Sequence, residues 1–158
     1  MLELQNVSRS VGGEKHIIDV SLTLDRGSLN VLLGPTLAGK TSLMRLMAGL
    51  DAPTSGRVVM DGRDVTGVPV RKRNVAMVYQ QFINYPTLTV YENIASPMRI
   101  AGKSAAEIEA AVQKAAALMK LTPFLDRTPL NLSGGQQQRT ALARALVKNA
   151  ELVLLDEP

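Results

Sequence analysis

The chain has 158 residues, of which 46% are hydrophobic and 20% charged, a composition typical of a globular domain and not of a disordered chain. It has no cysteine and a single histidine, His16, which excludes a disulfide framework, a thiolate metal site and a histidine metal cluster. The formal net charge is +4, but the basic residues are scattered and aromatic residues are few, so nucleic acid is not expected as a partner.

The length suits one domain. No apolar run approaches the roughly 18 residues of a membrane span, and the N-terminal residues lack the basic-then-apolar order of a signal peptide. A cytosolic location is therefore expected.

The first part of the chain predicts short strands. The first contains Leu2, Leu4 and Val7, and alternating apolar and polar residues over 18–24 predict a half-buried second strand. The continuous apolar run 29–33 predicts a strand buried on both faces. The next elements expected in chain order are a helix over 42–50 and strands over 57–60 and 75–78.

The second part predicts helices and a final strand. Capping boxes pair Thr89 with Glu92 and Ser104 with Glu107, so a helix should begin at each. A further helix is expected over 136–148, followed by the apolar strand 152–155. This order predicts an α/β protein with a parallel core and an inserted helical lobe.

One loop carries the pattern of a phosphate-binding site. Residues 34–41 read Gly34-Pro35-Thr36-Leu37-Ala38-Gly39-Lys40-Thr41, which fits G-x-x-x-x-G-K-[ST] between a predicted strand and a predicted helix. Such a loop aims backbone N–H groups at an anion, Lys40 would bridge the β- and γ-phosphates, and the Thr41 hydroxyl would bind Mg²⁺. The bland alternative is a chance glycine loop before a core helix.

Two acidic residues follow the last predicted strand. Asp156 stands at the carboxyl end of that strand, where ligands bind in α/β sheets, and is predicted to hold Mg²⁺. Glu157 is predicted to orient and deprotonate the attacking water. Alone, this pattern is weak, because apolar runs ending in two acidic residues are common strand ends.

A third motif opens the helix predicted over 136–148. Ser133 and Gln136 form a capping box, and Gly134 and Gly135 lie between them at the start of the helix. Two glycines at a helix N-terminus leave the backbone N–H groups open to an incoming anion. The alternative is a polar loop that caps an ordinary surface helix.

Together these motifs resemble the ATP-binding subunits of ABC transporters. Residues 132–139, LSGGQQQR, are similar to the family's signature motif, 34–41 to its Walker A loop and 152–158 to its Walker B strand. Gln80 stands at the position of the Q-loop glutamine. The run from residue 70 to 102 is similar to carbohydrate and polyol importers, with glycerol importers as the nearest suggestion.

The resemblance implies an α/β P-loop NTPase core of the RecA type, with an N-terminal antiparallel β subdomain and an inserted helical subdomain. The core would comprise 1–88 and 149–158, the helical subdomain 89–148, and the C-terminal part of the family domain would be missing. The chain would thus be a fragment, inactive alone, of an ATPase coupled to transport.

The resemblance also implies roles and partners. ATP with Mg²⁺ would lie between two such subunits, identical or siblings, with the phosphate loop of one facing Ser133, Gly134, Gly135 and Gln136 of the other. Gln80 would contact Mg²⁺ and take part in catalysis. Membrane permease subunits would dock near Gln80, and a solute-binding protein would take part indirectly. The subunit would lie peripherally on the cytoplasmic face of the inner membrane.

The chain departs from the family pattern in two places near the nucleotide. Leu37 stands where the family loop has glycine, and Val11 stands where an aromatic residue normally stacks on adenine. A leucine there implies either a negative φ or a strained backbone. These departures keep open a non-hydrolysing regulatory subunit.

A nucleic-acid-linked ATPase of the same superfamily is the other alternative. Such proteins place a long coiled coil between the Q-loop and the signature. Here the numbers of Gln80 and Ser133 differ by only 53, and no heptads are sustained between them, which argues against this class.

Overall fold

The structure is a computed structural model that describes residues 1–157. The chain divides into two compact units, Met1–Val75 and Ala76–Pro158. None of the helices within residues 1–157 is long and apolar enough to cross a membrane. The elements in chain order are β1 (Leu2–Val11), β2 (Glu14–Leu24), α1 (Lys40–Ala48), β3 (Ser55–Met60), β4 (Arg63–Asp64), β5 (Val75–Val78), α2 (Val90–Ile100), α3 (Ala105–Leu118), α4 (Gly134–Val147) and β6 (Leu152–Leu155).

The first unit is built on an antiparallel sheet with the strand order β2-β1-β3-β4. Leu2 and Leu4 of β1 and Val58 of β3 are buried in its core, and Leu43 and Leu46 of α1 are buried as well. This sheet is the antiparallel β subdomain that the family resemblance implies.

A β-bulge interrupts the pairing of β1 with β2. Asn6 and Asp19 take positive φ values of 50° and 47°, and the Asn6 side chain donates to the Asp19 carboxylate over 2.9 Å. The bulge shifts the register, so that Ile17 is buried while Ile18 is 64% exposed. The simple alternation predicted over 18–24 therefore fails at Ile18, because one extra residue reverses which side chains face the core.

The apolar run 29–33 does not form the predicted strand. Residues 25–39 contain no regular secondary structure, and Leu29 and Leu33 are 92% and 85% exposed. A strand requires a neighbour that pairs with its backbone, and no strand pairs with this run within residues 1–157. The prediction of a strand buried on both faces is thus wrong for the structure described here.

A buried arginine holds the end of α1. Arg73 is 7% exposed and donates to the carbonyl oxygens of Met47, Val65 and Val68, of which the Met47 oxygen belongs to the last turn of the helix. Burial lowers its pKa, while the carbonyl dipoles at a helix C-terminus favour a cation. Gly49 ends the helix at φ 77° with the guanidinium directly against it.

The second unit contains three helices that begin where the sequence predicts. Thr89, Ser104 and Ser133 each accept a hydrogen bond from the backbone N–H three residues on, and the side chain there bonds back to the cap. The α2 helix packs against α3 and α4. Their shared core consists of Val90, Ile94, Ala95, Ile108, Val112, Ala115, Ala116, Leu121, Leu132 and Ala143.

The same unit contains a two-stranded sheet formed by β5 and β6. Ala76 and Val78 of β5 are buried against Ala141 and Ala145 of α4, so small residues let the helix approach the strand closely. The longest helix between Gln80 and Ser133 has 14 residues, which leaves no room for the long coiled coil of a nucleic-acid-linked ATPase.

Candidate nucleotide-binding site

The phosphate loop leads directly into α1. The loop residues 34–38 are exposed, and α1 begins at Lys40, so the N-terminal end of the helix dipole adjoins the loop. The Lys40 ammonium donates to the carbonyl oxygens of Gly34 and Pro35 over 2.8 Å and 2.9 Å. These bonds fold the lysine back over the loop, where a phosphate held by the backbone N–H groups would meet its charge.

Gly39 is required by the fold itself. Its φ is 88°, and a Cβ at this position would lie 3.0 Å from the Ile17 side chain and 3.1 Å from the His16 carbonyl oxygen. The last glycine of the motif therefore lets the loop lie against β2. His16 itself is exposed within β2, and Val11 is half exposed at the end of β1.

The sequence left two possibilities for Leu37, a negative φ or a strained backbone, and the structure shows the second. Its φ is 68°, in the left-handed region, and its side chain is 98% exposed. The backbone thus keeps the conformation that glycine takes readily, and leucine occupies it at a cost of about 1–2 kcal/mol. The fully exposed side chain gains no packing that would offset this cost.

The carboxyl ends of β5 and β6 bring two predicted site residues into contact. The Asp156 backbone N–H donates to the Val78 carbonyl oxygen over 2.9 Å, which aligns the ends of the two strands. Just beyond these ends, the Gln80 amide nitrogen Nε2 donates to Glu157 Oε2 over 2.7 Å. Asp156 is 4% exposed, whereas Gln80 and Glu157 are exposed.

The signature helix α4 opens with two glycines that the fold does not demand. Gly134 and Gly135 have no positive φ, and a Cβ on either would meet its nearest neighbour at 3.8 Å or 3.7 Å, an ordinary contact. Ser133 caps the helix, and Gln136 Oε1 accepts from the Ser133 backbone N–H over 2.8 Å. The fold of residues 1–157 therefore requires glycine at neither position.

The sequence did not predict the contacts that join the segment after Gln80 to α4. The Asn84 side chain donates to the Gln137 carbonyl oxygen over 2.9 Å, and Arg144 donates to the Ile83 carbonyl oxygen over 2.5 Å. Arg144 also lies 5.2 Å from the centre of the Tyr85 ring. Because these two hydrogen bonds join residues 53 and 61 positions apart in the chain, no local sequence pattern predicts them.

A companion contact ties the same segment to α2. Asn93 is fully buried, its Oδ1 accepts from the Tyr85 backbone N–H over 2.8 Å, and its Nδ2 donates to the Tyr85 and Leu88 carbonyl oxygens. The segment from Gln80 to Leu88 is thus hydrogen-bonded to both α2 and α4.

The donors predicted for Mg²⁺ have suitable chemistry. The Thr41 hydroxyl, the Gln80 amide oxygen and the Asp156 carboxylate are all oxygen donors, which Mg²⁺ prefers. Gln80 uses its nitrogen toward Glu157, so its oxygen is the end that remains an acceptor. No group of three His, Cys, Asp or Glu residues within 1–157 is arranged to hold a metal.

The predicted residues fall into two groups. Gln80, Asp156 and Glu157 come together in the second unit, which also carries Ser133 to Gln136 at the start of α4. The phosphate loop, with Lys40 and Thr41, belongs to the first unit.

Solved structures share this architecture. An ATP-binding cassette solved as a dimer in a post-hydrolysis state, bound to ADP and Pi, is similar over 100% of this chain and 74% of its own, with a TM-score of 0.89 and 31% identity. A second dimeric structure, of a bacterial ABC transporter cassette, gives a TM-score of 0.91 over the same shares. The fold is therefore that of the P-loop NTPase cassettes.

Sequence comparison agrees. The model of the ABC transporter family matches residues 17–158, and the chain belongs to that family. The spermidine/putrescine import ATP-binding protein PotA of Nitrosospira multiformis is 44% identical over 158 residues. The alpha-glucoside transport ATP-binding protein AglK of Rhizobium meliloti is 44% identical over 157 residues. This chain covers 44% and 43% of those two relatives, less than half of their length.

Proposed function

We propose that this chain is part of the ATP-binding and ATP-hydrolysing subunit of an ABC importer. The observation that carries the proposal is the contact between Gln80 and Glu157 at the aligned ends of β5 and β6, beside the buried Asp156. It places a carboxylate and an amide together at the strand ends where nucleotides bind in α/β proteins. The names of the relatives, which describe ATP-binding proteins of import or transport systems, support both ATP binding and a role in import.

Each residue then has a task in hydrolysis. Lys40 offsets the negative charge of the β- and γ-phosphates, while the loop backbone holds them. Glu157 takes a proton from the water that attacks the γ-phosphate. Thr41, Gln80 and Asp156 would hold Mg²⁺, which would supply further charge neutralisation. Ser133 and the two glycines after it would complete the site of a second subunit, identical or a sibling.

The test of nucleotide binding is Lys40→Ala in the full-length protein. It should abolish ATP binding measured by calorimetry, because a point charge on the phosphates is lost. Lys15→Ala removes an exposed lysine from β2 and serves as the matched control. Unchanged ATP affinity in Lys40→Ala would refute the phosphate-loop assignment.

The test of chemistry is Glu157→Gln. Hydrolysis should fall by about 10²–10⁴-fold, because the base is lost while the shape of the side chain is kept. ATP should still bind and should hold two subunits together as a stable dimer. Glu151→Gln, at an exposed position before β6, is the control. Normal turnover in Glu157→Gln would rule out this residue as the base.

The proposal also concerns the class of solute that the importer would transport. The similarity over 70–102 favours a sugar or a polyol such as glycerol, and the α-glucoside relative supports the sugar class. Several other relatives are named for spermidine and putrescine. Uptake of labelled glycerol, maltose and spermidine by cells with and without the gene distinguishes the three, since only the true solute loses uptake.

The remaining partners follow from the importer assignment. Permease subunits would bind the ATPase near Gln80, and a solute-binding protein would deliver the solute to them, which places the subunit peripherally on the cytoplasmic face of the inner membrane. A non-hydrolysing regulatory subunit is the second candidate, favoured by the left-handed leucine at position 37. Measurable ATPase activity of the wild-type complex that Glu157→Gln abolishes would exclude it.

A further inference from the structure

The strand that borders the phosphate loop presents an aromatic ring to solvent. We propose that His16 binds the nucleotide, with its imidazole stacked on the base of the nucleotide whose phosphates the loop holds. The inference rests on the proposed function in one respect, that the ligand is a nucleotide, and it does not depend on hydrolysis. It assigns a residue to the base, whereas the loop and the strand ends concern only the phosphates and Mg²⁺.

The first unit offers a single side chain that could stack on a base. Residues 1–75 contain no Phe, Tyr or Trp, so His16 has the only aromatic ring in the unit that carries the phosphate loop. Every nucleobase has a π face, and proteins that bind bases commonly place an aromatic side chain, histidine included, against that face. Within this unit, a base therefore has no other ring on which to stack.

The backbone of His16 lies directly against the phosphate loop. A Cβ on Gly39 would lie 3.1 Å from the His16 carbonyl oxygen and 3.0 Å from Ile17 Cδ1. Gly39 precedes Lys40, the first residue of α1, whose N-terminal end attracts the phosphates. Because the ribose joins the base to these phosphates, the base must lie beside the loop, and His16 stands at the edge of the loop.

A β-bulge sets the position of the His16 side chain. Ser10 pairs with Lys15 and Arg9 pairs with Ile17, so His16 is an extra residue of β2 with no residue opposite it in β1. Bulges of this kind redirect a side chain and are common beside binding sites. Ile17 is buried in the core, whereas the imidazole of His16 is exposed. The ring is thus kept out of the core next to the loop.

The binding of ADP and of inorganic tripolyphosphate to the nucleotide-free full-length protein tests the proposal. In calorimetry, His16→Ala should weaken ADP binding by about 5–30-fold, the scale of one lost base stack. It should leave tripolyphosphate binding unchanged, because that ligand has no base. Thr23→Ala, at another exposed position of β2, is the matched control.

His16→Phe separates stacking from hydrogen bonding. This variant keeps an aromatic ring and loses both ring nitrogens, so it should bind ADP nearly as tightly as wild type. A His16→Phe variant as weak as His16→Ala would show that the nitrogens bind the ligand, which overturns the stacking role. Because the side chain of His16 is exposed, neither substitution disturbs the core.

A spectroscopic measurement reports on the ring itself. The ring resonances of His16, identified as those missing from His16→Ala, should move upfield when ADP is added, because a stacked base shields the ring protons. Tripolyphosphate should not cause this upfield shift. Resonances that respond equally to both ligands would place the imidazole at the phosphates and overturn the proposal.

The remaining outcomes separate this proposal from the proposed function. Unchanged ADP affinity in His16→Ala, or an equal loss of ADP and tripolyphosphate binding, shows that the base does not rest on this ring. If the wild-type complex hydrolyses no ATP while His16→Ala weakens ADP binding alone, hydrolysis is refuted and the base contact stands. A wild-type protein that binds no ADP refutes both.

Discussion

At the scale of single residues, the phosphate loop contains a conformational cost that can be removed. Leu37 takes φ 68° with its side chain exposed, so Leu37→Gly should stabilise the folded state by about 1–2 kcal/mol, because it removes the backbone strain. The greater conformational freedom of glycine in the unfolded chain should offset about 0.5–1 kcal/mol of this gain. The net expectation is unchanged or slightly higher stability in urea denaturation. Leu37→Ala keeps the Cβ and should be no more stable than wild type. A clear loss of stability in Leu37→Gly would refute the strain.

A second residue gives a pH dependence of known sign. Asp51 accepts from Arg45 over 2.8 Å and 3.1 Å, and this hydrogen bond is the main cause that lowers the pKa of the carboxyl below its usual 3.8. Because the folded-state pKa lies below the unfolded one, the contribution to stability is complete above pH 4 or so and is lost as the pH falls through the folded-state pKa.

Asp51→Asn tests this expectation. At neutral pH it should lower the free energy of unfolding by about 0.5–1 kcal/mol, the scale of a partly exposed ion pair. The difference from wild type should shrink below pH 4, as measured by urea denaturation at a series of pH values. Asp126→Asn, at an exposed position, should show no such trend. A difference that grows toward acid pH would contradict the assignment.

At the scale of elements, local signals were enough for the helix starts and for the short strands 75–78 and 152–155, but not for the run 29–33 or the bulge in β2. The caps at Thr89, Ser104 and Ser133 were predictable because the cap and its partner lie only three residues apart. The run 29–33 has the composition of a buried strand, but strands form only against a neighbour, which composition does not specify. The bulge at Asp19 was not predictable for the same reason, because the register is set by the pairing between strands.

The C-terminal end of α1 depends on a glycine that no motif indicates. A Cβ on Gly49 would lie 2.4 Å from the Arg73 guanidinium carbon, which is buried and fixed by three carbonyl oxygens. Gly49→Ala should therefore lose about 1–3 kcal/mol more stability than the left-handed backbone alone costs, because the guanidinium must give up hydrogen bonds.

Gly67→Ala is the matched control for Gly49→Ala. Its φ of 71° is nearly the same as the 77° of Gly49, but nothing lies within 4 Å of its Cβ position. Chemical denaturation of both variants separates steric overlap from backbone strain. Equal losses in the two would show that Arg73 moves aside freely.

The start of α4 is expected to trade stability for function. Gly135 lies in the first turn with room for a Cβ, so Gly135→Ala should raise the stability by up to about 1 kcal/mol. In the full-length protein the same substitution should weaken ATP-dependent dimerisation, because a methyl group stands where the nucleotide of the other subunit approaches. Thermal denaturation and sedimentation with ATP measure the two effects. Improved stability with unimpaired dimerisation would contradict the role of the glycine.

At the scale of the whole molecule, the sequence indicated the short motifs better than the contacts between them. The residues at the ends of β5 and β6 were predictable, because an acidic pair after an apolar strand has a meaning once a phosphate loop is present. The contacts that Asn84 and Arg144 make were not predictable, since they join segments far apart in the chain.

The last prediction follows from a difference between the phosphate loop of this chain and its signature motif. The phosphate loop contains the strained Leu37, and the Val11 position lacks an aromatic residue, whereas Ser133 to Gly135 keep the family pattern on a well-capped helix. In a head-to-tail dimer these halves belong to different nucleotides. If the partner is a sibling, this chain's signature completes the stronger site and its own phosphate loop builds the weaker one.

Ser133→Arg should therefore reduce transport in the assembled complex more than Leu37→Gly does. It places a bulky cation where the γ-phosphate of the sibling's nucleotide would dock, whereas Leu37→Gly restores a permissive backbone and should leave ATPase activity unchanged or raise it. Ser104→Arg is the matched control, because Ser104 caps α3 with the same capping box and lies outside the signature. Solute uptake and ATPase activity of the three complexes decide the matter. If Leu37→Gly abolishes transport while Ser133→Arg behaves like Ser104→Arg, the phosphate loop of this chain serves the stronger site and the assignment of the two halves is reversed.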